Sequence, residues 1–259
     1  MPREQKELRF FDRDQNFRQG LDHYSSQFGR WTREAAVGEA SPPYFFKGIT
    51  FDAEGNHRFN LLDDAPGRIA QTLPDVRIVM TLRNPVDRSY SQFWKGRAQK
   101  TESSSTYRNA LEEELDGERT PANTAGCWIY KNRYSLHLRR WLELYPASSC
   151  RILIFEEWIA DPTSMLSELA AFLEIDPEGM PNDFPVLNVG IAGRYTLSGR
   201  IRKRLQRAKV RRFITSAPDQ PSYQELEPET RRFAQKVFQE DIEDTERILG
   251  RSLGLWKDT

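Results

Sequence analysis

Apolar residues recur along the chain with two periods. Over 77–82 the run Arg-Ile-Val-Met-Thr-Leu is β-branched and apolar without a break, the pattern of a short buried strand. Asn84-Pro85 stops it. Proline suits the first turn of a helix, where its missing N–H would have no partner, so a helix is predicted over 85–100. A second buried strand is predicted over 151–155, Arg-Ile-Leu-Ile-Phe, with a helix over 164–173 behind it. The helical period is clearest over 130–145. There Tyr134, Leu138, Trp141, Leu142 and Tyr145 share one face, while Arg133, Arg139 and Arg140 lie on the polar face and His137 reads as a surface residue. Phe17, Leu21, Tyr24 and Phe28 form a similar stripe over 17–28, as do Ala234, Phe238, Ile242 and Leu249 over 229–250. Shorter helices are predicted over 66–73 and 107–115, and a short strand over 35–39. The polar stretch 50–64, with Asp52, Gly55 and Asn56, reads as a turn or surface excursion. Trp256 is expected to pack the C-terminus onto the core. Strands alternating with helices predict one α/β domain over 1–259, a parallel sheet with helices on both faces.

Composition narrows this. A chain of 259 residues is long enough for one domain with a sizeable core. At 38% hydrophobic and 12% aromatic it is globular rather than disordered. Lys+Arg equals Asp+Glu at 38 each, so any polyanion binding has to come from a local patch. The candidate patch is 194–212, with nine basic residues and no acid. It reads either as a solvated face that balances acids elsewhere or as a grip for an anionic acceptor, such as a sulfated or uronate-bearing glycan. It lacks interleaved aromatics, so nucleic acid is not an expected partner. Cys127 and Cys150 have no close Cys or His partner in sequence, which argues against a disulfide framework or a zinc site. No acids cluster at metal spacing, and no metal is expected. No apolar run reaches transmembrane length, and the N-terminal MPREQKELRFF is not a signal peptide. A cytoplasmic protein without a membrane partner is expected.

The candidate chemistry centres on Arg83. It stands at the carboxyl end of the predicted strand, the edge where open α/β sheets bind ligands. The following helix N-terminus suits phosphate, and a guanidinium can grip two phosphate oxygens. Ser91 lies about two turns into the helix and can add a hydroxyl. The run Arg83-Asn84-Pro85-Val86-Asp87-Arg88-Ser89-Tyr90-Ser91 resembles the 3'-phosphate-binding motif of sulfotransferases that use 3'-phosphoadenosine 5'-phosphosulfate (PAPS). The resemblance implies that Arg83 and Ser91 hold the 3'-phosphate.

Three further stretches carry the same resemblance. Lys6-Glu7-Leu8-Arg9-Phe10-Phe11-Asp12 resembles the Lys-Glu-x-His-Phe-Phe-Asp stretch of the heparan-sulfate branch, and Glu7 maps onto its catalytic base. From the residues alone, Glu7 reads as a solvated acid in a charged N-terminal segment, and it is the resemblance that favours the base. Arg9 replaces the family's histidine; it cannot shuttle a proton, but it can stabilise leaving charge or orient Glu7. Glu39-Ala40-Ser41-Pro42-Pro43-Tyr44 resembles the family's Glu-x-(Thr/Ser)-Pro-x-Tyr turn, with Ala40 where some members carry a lysine. Glu39 is either a second functional carboxylate or a helix-capping acid. Gly193-Arg194-Tyr195 sits where the family has a loop that closes over the cofactor, which makes Arg194 a second phosphate ligand by resemblance.

The family domain opens with a strand, a Lys-x-Gly-Thr-type loop and a helix, the loop gripping the 5'-phosphosulfate. No such loop precedes Glu7 and no glycine-rich substitute follows. The expectation is therefore a P-loop nucleoside-triphosphate-hydrolase-like sulfotransferase fold, N-terminally incomplete, whose start lies upstream of Met1. The implied function is transfer of a sulfuryl group from PAPS to a hydroxyl, less readily an amine, of a carbohydrate, releasing 3'-phosphoadenosine 5'-phosphate (PAP). The alternative is a non-catalytic remnant that binds a 3'-phosphonucleotide or a glycan.

Overall fold

The computed structural model describes residues 7–29, 32, 34–124, 126–177 and 224–256. Arg194 and the basic run around it lie outside the described residues.

Two short helices, α1 (Asp14–Phe17) and α2 (Gly20–Ser26), stand where one helix was predicted. Gly20 breaks the stripe, with φ +81 in the left-handed region that glycine enters without steric cost. The break leaves Leu21 49% exposed, while Phe17, Tyr24 and Phe28 still pack on the core. No strand forms over 35–39. Apart from half-buried Glu39 the segment is exposed, so no buried face pulls it into a sheet.

The stretch read as a surface excursion is instead an antiparallel hairpin, β1 (Ile49–Phe51) with β2 (His57–Phe59). Asp52 closes its turn by accepting from the Asn56 N–H at 2.7 Å, an Asx-type bond that asparagine and aspartate favour in turns. Three-residue strands are too short to show a period. The chain then forms α3 (Ala65–Thr72), strand β3 (Ile78–Leu82) and α4 (Pro85–Ala98). Next come α5 (Tyr107–Leu115), α6 (Tyr134–Leu144) and strand β4 (Cys150–Ile154). It continues with α7 (Phe155–Ala160), α8 (Pro162–Leu173) and α9 (Pro228–Leu249).

Strands β3 and β4 pair in parallel, Ile78 opposite Cys150 and Leu82 opposite Ile154. Parallel neighbours require a crossover, here supplied by α4, α5 and α6. Met80, Leu82 and Ile154 join Val86, Tyr90 and Phe93 of α4, Leu138 and Trp141 of α6, and Phe238 of α9 in one core. Trp256 completes it at 1% exposure, as expected from the sequence. Burying aromatic side chains of this size contributes about 1.5–3 kcal/mol each.

His137 is not on the surface. It is fully buried, its Nδ1 accepting from the Lys47 N–H at 3.1 Å and its Nε2–H donating to the Tyr130 carbonyl at 2.9 Å. Burial pushes its pKa down to about 3, so the ring is neutral and its polarity is spent on backbone. No described helix is long and apolar enough to cross a membrane.

Candidate functional site

Strand β3 delivers Arg83 to the carboxyl edge of the sheet, and its backbone is held on both sides. The Arg83 carbonyl accepts from the Tyr134 hydroxyl at 2.7 Å. The next N–H, on Asn84, donates to Glu156 Oε1 at 2.9 Å. The other Glu156 oxygen accepts from the Trp256 indole N–H at 3.0 Å. The Asn84 side chain caps α4 by accepting from the Val86 N–H at 3.0 Å, a cap of the kind that stabilises a helix by about 1 kcal/mol. Pro85 follows at the first helical position.

The guanidinium itself lies over the Phe155 ring, 5.3 Å from its centre, and forms no salt bridge with a described carboxylate. Glu156 is spent on Asn84 and Trp256, which leaves the five N–H donors of Arg83 for an anion. The near end of α4 is less available: Asn84 occupies the Val86 N–H, and Asp87 of its first turn pairs with Arg231 of α9 at 2.9 Å. Ser91 is half-buried on α4, one and a half to two turns beyond Pro85. Arg88, between them, is committed elsewhere. Its Nη1 donates to the Lys131 carbonyl at 2.9 Å and to Asn132 Oδ1 at 2.7 Å. Ser89 is buried against the Tyr107 hydroxyl at 2.5 Å. Of the polar side chains in the motif, Arg83 and Ser91 are thus the two not spent on holding the fold.

Glu7 is exposed and makes no hydrogen bond or ion pair with a described residue. Arg9 does not turn towards it. Its Nε and Nη2 both donate to Asp12 Oδ2, and its guanidinium sits 4.8 Å from the centre of the Phe51 ring. Asp12 is fully buried, and its Oδ1 has no partner among the described residues. Burial raises the Asp12 pKa in spite of the arginine. Arg9 also has φ +53, in the left-handed region, which costs a non-glycine residue on the order of 1–3 kcal/mol. Glu39 caps no helix. Its carboxylate lies among Tyr24, Ser41 and Tyr44, and burial raises its pKa.

One cation escaped the reading of the sequence. Lys131 is half-buried with its ammonium 5.8 Å from the Phe46 ring centre and 5.9 Å from that of Trp128. Burial brings its pKa down to about 8. The signal was a lysine inside the aromatic run Trp128-Ile129-Tyr130-Lys131, where a charged side chain has little room to reach water. Among the described residues no group of three or more His, Cys, Asp or Glu is placed to hold a metal ion.

Comparison with known proteins gives the chain's family. The chain is similar to heparan sulfate glucosamine 3-O-sulfotransferase 5 of Mus musculus, 23% identical over 172 residues. That match covers 66% of this chain and 45% of the relative. It is 28% identical over 176 residues to bifunctional heparan sulfate N-deacetylase/N-sulfotransferase 2 of Bos taurus, covering 66% of this chain and 18% of the relative. The chain thus spans less than half the length of these relatives. A crystal structure of a sulfotransferase from Alicyclobacillus acidocaldarius superposes with a TM-score of 0.60 at 22% identity, covering 92% of this chain and 74% of the other. That likeness establishes the α/β sulfotransferase fold. The sequence profile of the sulfotransferase domain matches residues 5–246, and the chain belongs to that family.

Proposed function

We propose that this chain moves a sulfuryl group from PAPS to a hydroxyl, or less readily an amine, on a carbohydrate. The observation that carries the reading is Arg83. It is a sheet-edge guanidinium with locked backbone and no described salt bridge, followed about two turns into α4 by a half-buried serine hydroxyl. That pair fits a doubly charged 3'-phosphate: a planar fork for two oxygens and a hydroxyl for a third. Arg83 and Ser91 would hold the nucleotide, and Arg194, outside the described residues, would help to close over it. PAPS supplies the activated sulfuryl group. The protein supplies position and charge, as in other transfers of this type. Exposed Glu7 would take the proton of the acceptor hydroxyl as its oxygen becomes bonded to sulfur.

The relatives named for action on heparan sulfate support a glycan acceptor, which an O- or N-linked sulfate would suit. A transfer assay tests this. The chain is incubated with sulfur-labelled PAPS and either desulfated or N-sulfated heparan chains. Label in the glycan, with one PAP released per sulfate, supports the reading. PAP binding without transfer to any glycan supports the non-catalytic binder, and the absence of PAP binding overturns both.

A further inference from the structure

The segment carrying Glu7 has no ladder or helix to hold it, yet its backbone is almost fully paired with side chains. Buried N–H and C=O groups need partners, and here three consecutive N–H groups find them in one turn of the chain. The Arg9 N–H donates to Ser41 Oγ at 3.1 Å. The Phe10 and Phe11 N–H groups donate to the Tyr44 hydroxyl at 2.7 and 3.3 Å. The carbonyls are held from the other side, where the Asn16 amide donates to Leu8 O at 3.0 Å and to Arg9 O at 3.1 Å.

Glu39 stands behind these hydroxyls. Burial, and after it the charge of Glu39, raises the Tyr44 pKa, so its hydroxyl stays protonated while it accepts from the backbone. Ser41 Oγ, while accepting from the Arg9 N–H, donates its own proton to Glu39 at 3.3 Å, and the Tyr24 hydroxyl adds a second donor at 3.4 Å. A carboxylate is the one side chain that accepts several donors at once and offers none in return. With Glu39 as acceptor, the Ser41 hydroxyl is turned so that a lone pair faces the Arg9 N–H, while the Tyr44 hydroxyl faces the Phe10 and Phe11 N–H groups. The same grip holds Arg9 in its left-handed conformation, φ +53, which the residue would leave if it were released.

We infer that Glu39, Ser41 and Tyr44 are positioning residues that fix the backbone of residues 8–11 and thereby aim Glu7. Glu39 acts through the segment and touches no reacting atom. The inference rests on the reading of Glu7 as the base, and its test separates the two.

Amide hydrogen exchange and steady-state kinetics are measured on Ser41→Ala, Tyr44→Phe and Glu39→Gln. Each is expected to lower protection at the 9–11 amides at least tenfold, while the amides of β3 and β4 keep theirs. Each is expected to lower kcat at least tenfold with the KM for PAPS unchanged, and Ser41→Thr, which keeps the hydroxyl, is expected to restore both. Protection lost equally at β3 and β4 would reduce the cluster to a folding role and overturn the inference. So would protection lost at 9–11 with kcat unchanged. Full turnover in Glu7→Gln would instead remove the base assignment, a result the exchange data do not affect. Ser41→Ala leaves the Tyr44 bonds to Phe10 and Phe11 in place and keeps the test open if Tyr44→Phe does not fold.

Discussion

Arg83 and Phe155 each follow the last residue of one of two paired parallel strands. The Leu82–Ile154 register therefore sets the guanidinium 5.3 Å from the centre of the phenyl ring. A cation over an aromatic face gains about 0.5–1 kcal/mol at a partly exposed site. The ring also restricts the arginine's rotamers, so less freedom is lost when an anion binds. Phe155→Leu keeps the bulk and removes the π face. Nucleotide affinity is expected to fall roughly two- to fivefold, measured by calorimetry with PAP. Unchanged affinity would show that the ring does not support Arg83.

Glu7→Gln keeps size and removes the base. PAP affinity should be unchanged and kcat should drop by about 10²–10⁴, the range for a general base. A matched pair of binding and single-turnover measurements checks this.

Arg119 and Glu102 form a buried pair at 7% and 0% side-chain exposure. Burial alone would raise the Glu102 carboxyl, but the Arg119 bonds at 2.9 and 3.0 Å and the Trp128 indole at 2.6 Å hold it below its usual value. Arg119→Ala leaves that charge unpaired in the interior and should cost about 3–5 kcal/mol. Arg119→Met with Glu102→Leu should cost less than the single change. Urea unfolding of the two variants compares them.

His137 makes stability depend on acid. Its pKa falls from 6.5 unfolded to about 3 folded, chiefly through burial. Above 6.5 both states are neutral at this position and nothing is lost. As pH falls from 6.5 towards 3 the unfolded state takes up the proton first, so stability declines by up to about 1.4 kcal/mol per pH unit from this group. Buried Glu39 and Asp12, with raised values, act in the opposite sense, so the difference between parent and His137→Gln is the clean readout. The variant's stability should fall less steeply between pH 6 and 4; parallel profiles would remove His137 as the cause.

Long periodic segments were legible in the sequence. Tyr107–Leu115 has its expected bounds, and Pro228–Leu249 turns Ala234, Phe238 and Ile242 inward. His137 was misread although 134, 137, 138 and 141 lie on one helical face; the pattern put it in the core, and its polarity argued the other way. The hairpin was lost because three residues cannot display an alternation. At the site, strand, proline and arginine were local and readable. The Phe155 platform and the grip of Glu39, Ser41 and Tyr44 on residues 8–11 were not, because each joins segments some 30 or more residues apart that only the folded chain brings together.

The central claim is that Arg83 recognises a 3'-phosphate. The direct measurement is the affinity of the chain and of Arg83→Ala for PAP and for adenosine 5'-phosphate, which lacks that group. A charge-assisted hydrogen bond contributes about 1.5–3 kcal/mol, roughly tenfold or more in affinity. The parent should therefore prefer PAP by well over tenfold, and Arg83→Ala should lose the preference. Equal binding of the two nucleotides by the parent, or an undiminished preference in the variant, would contradict the account.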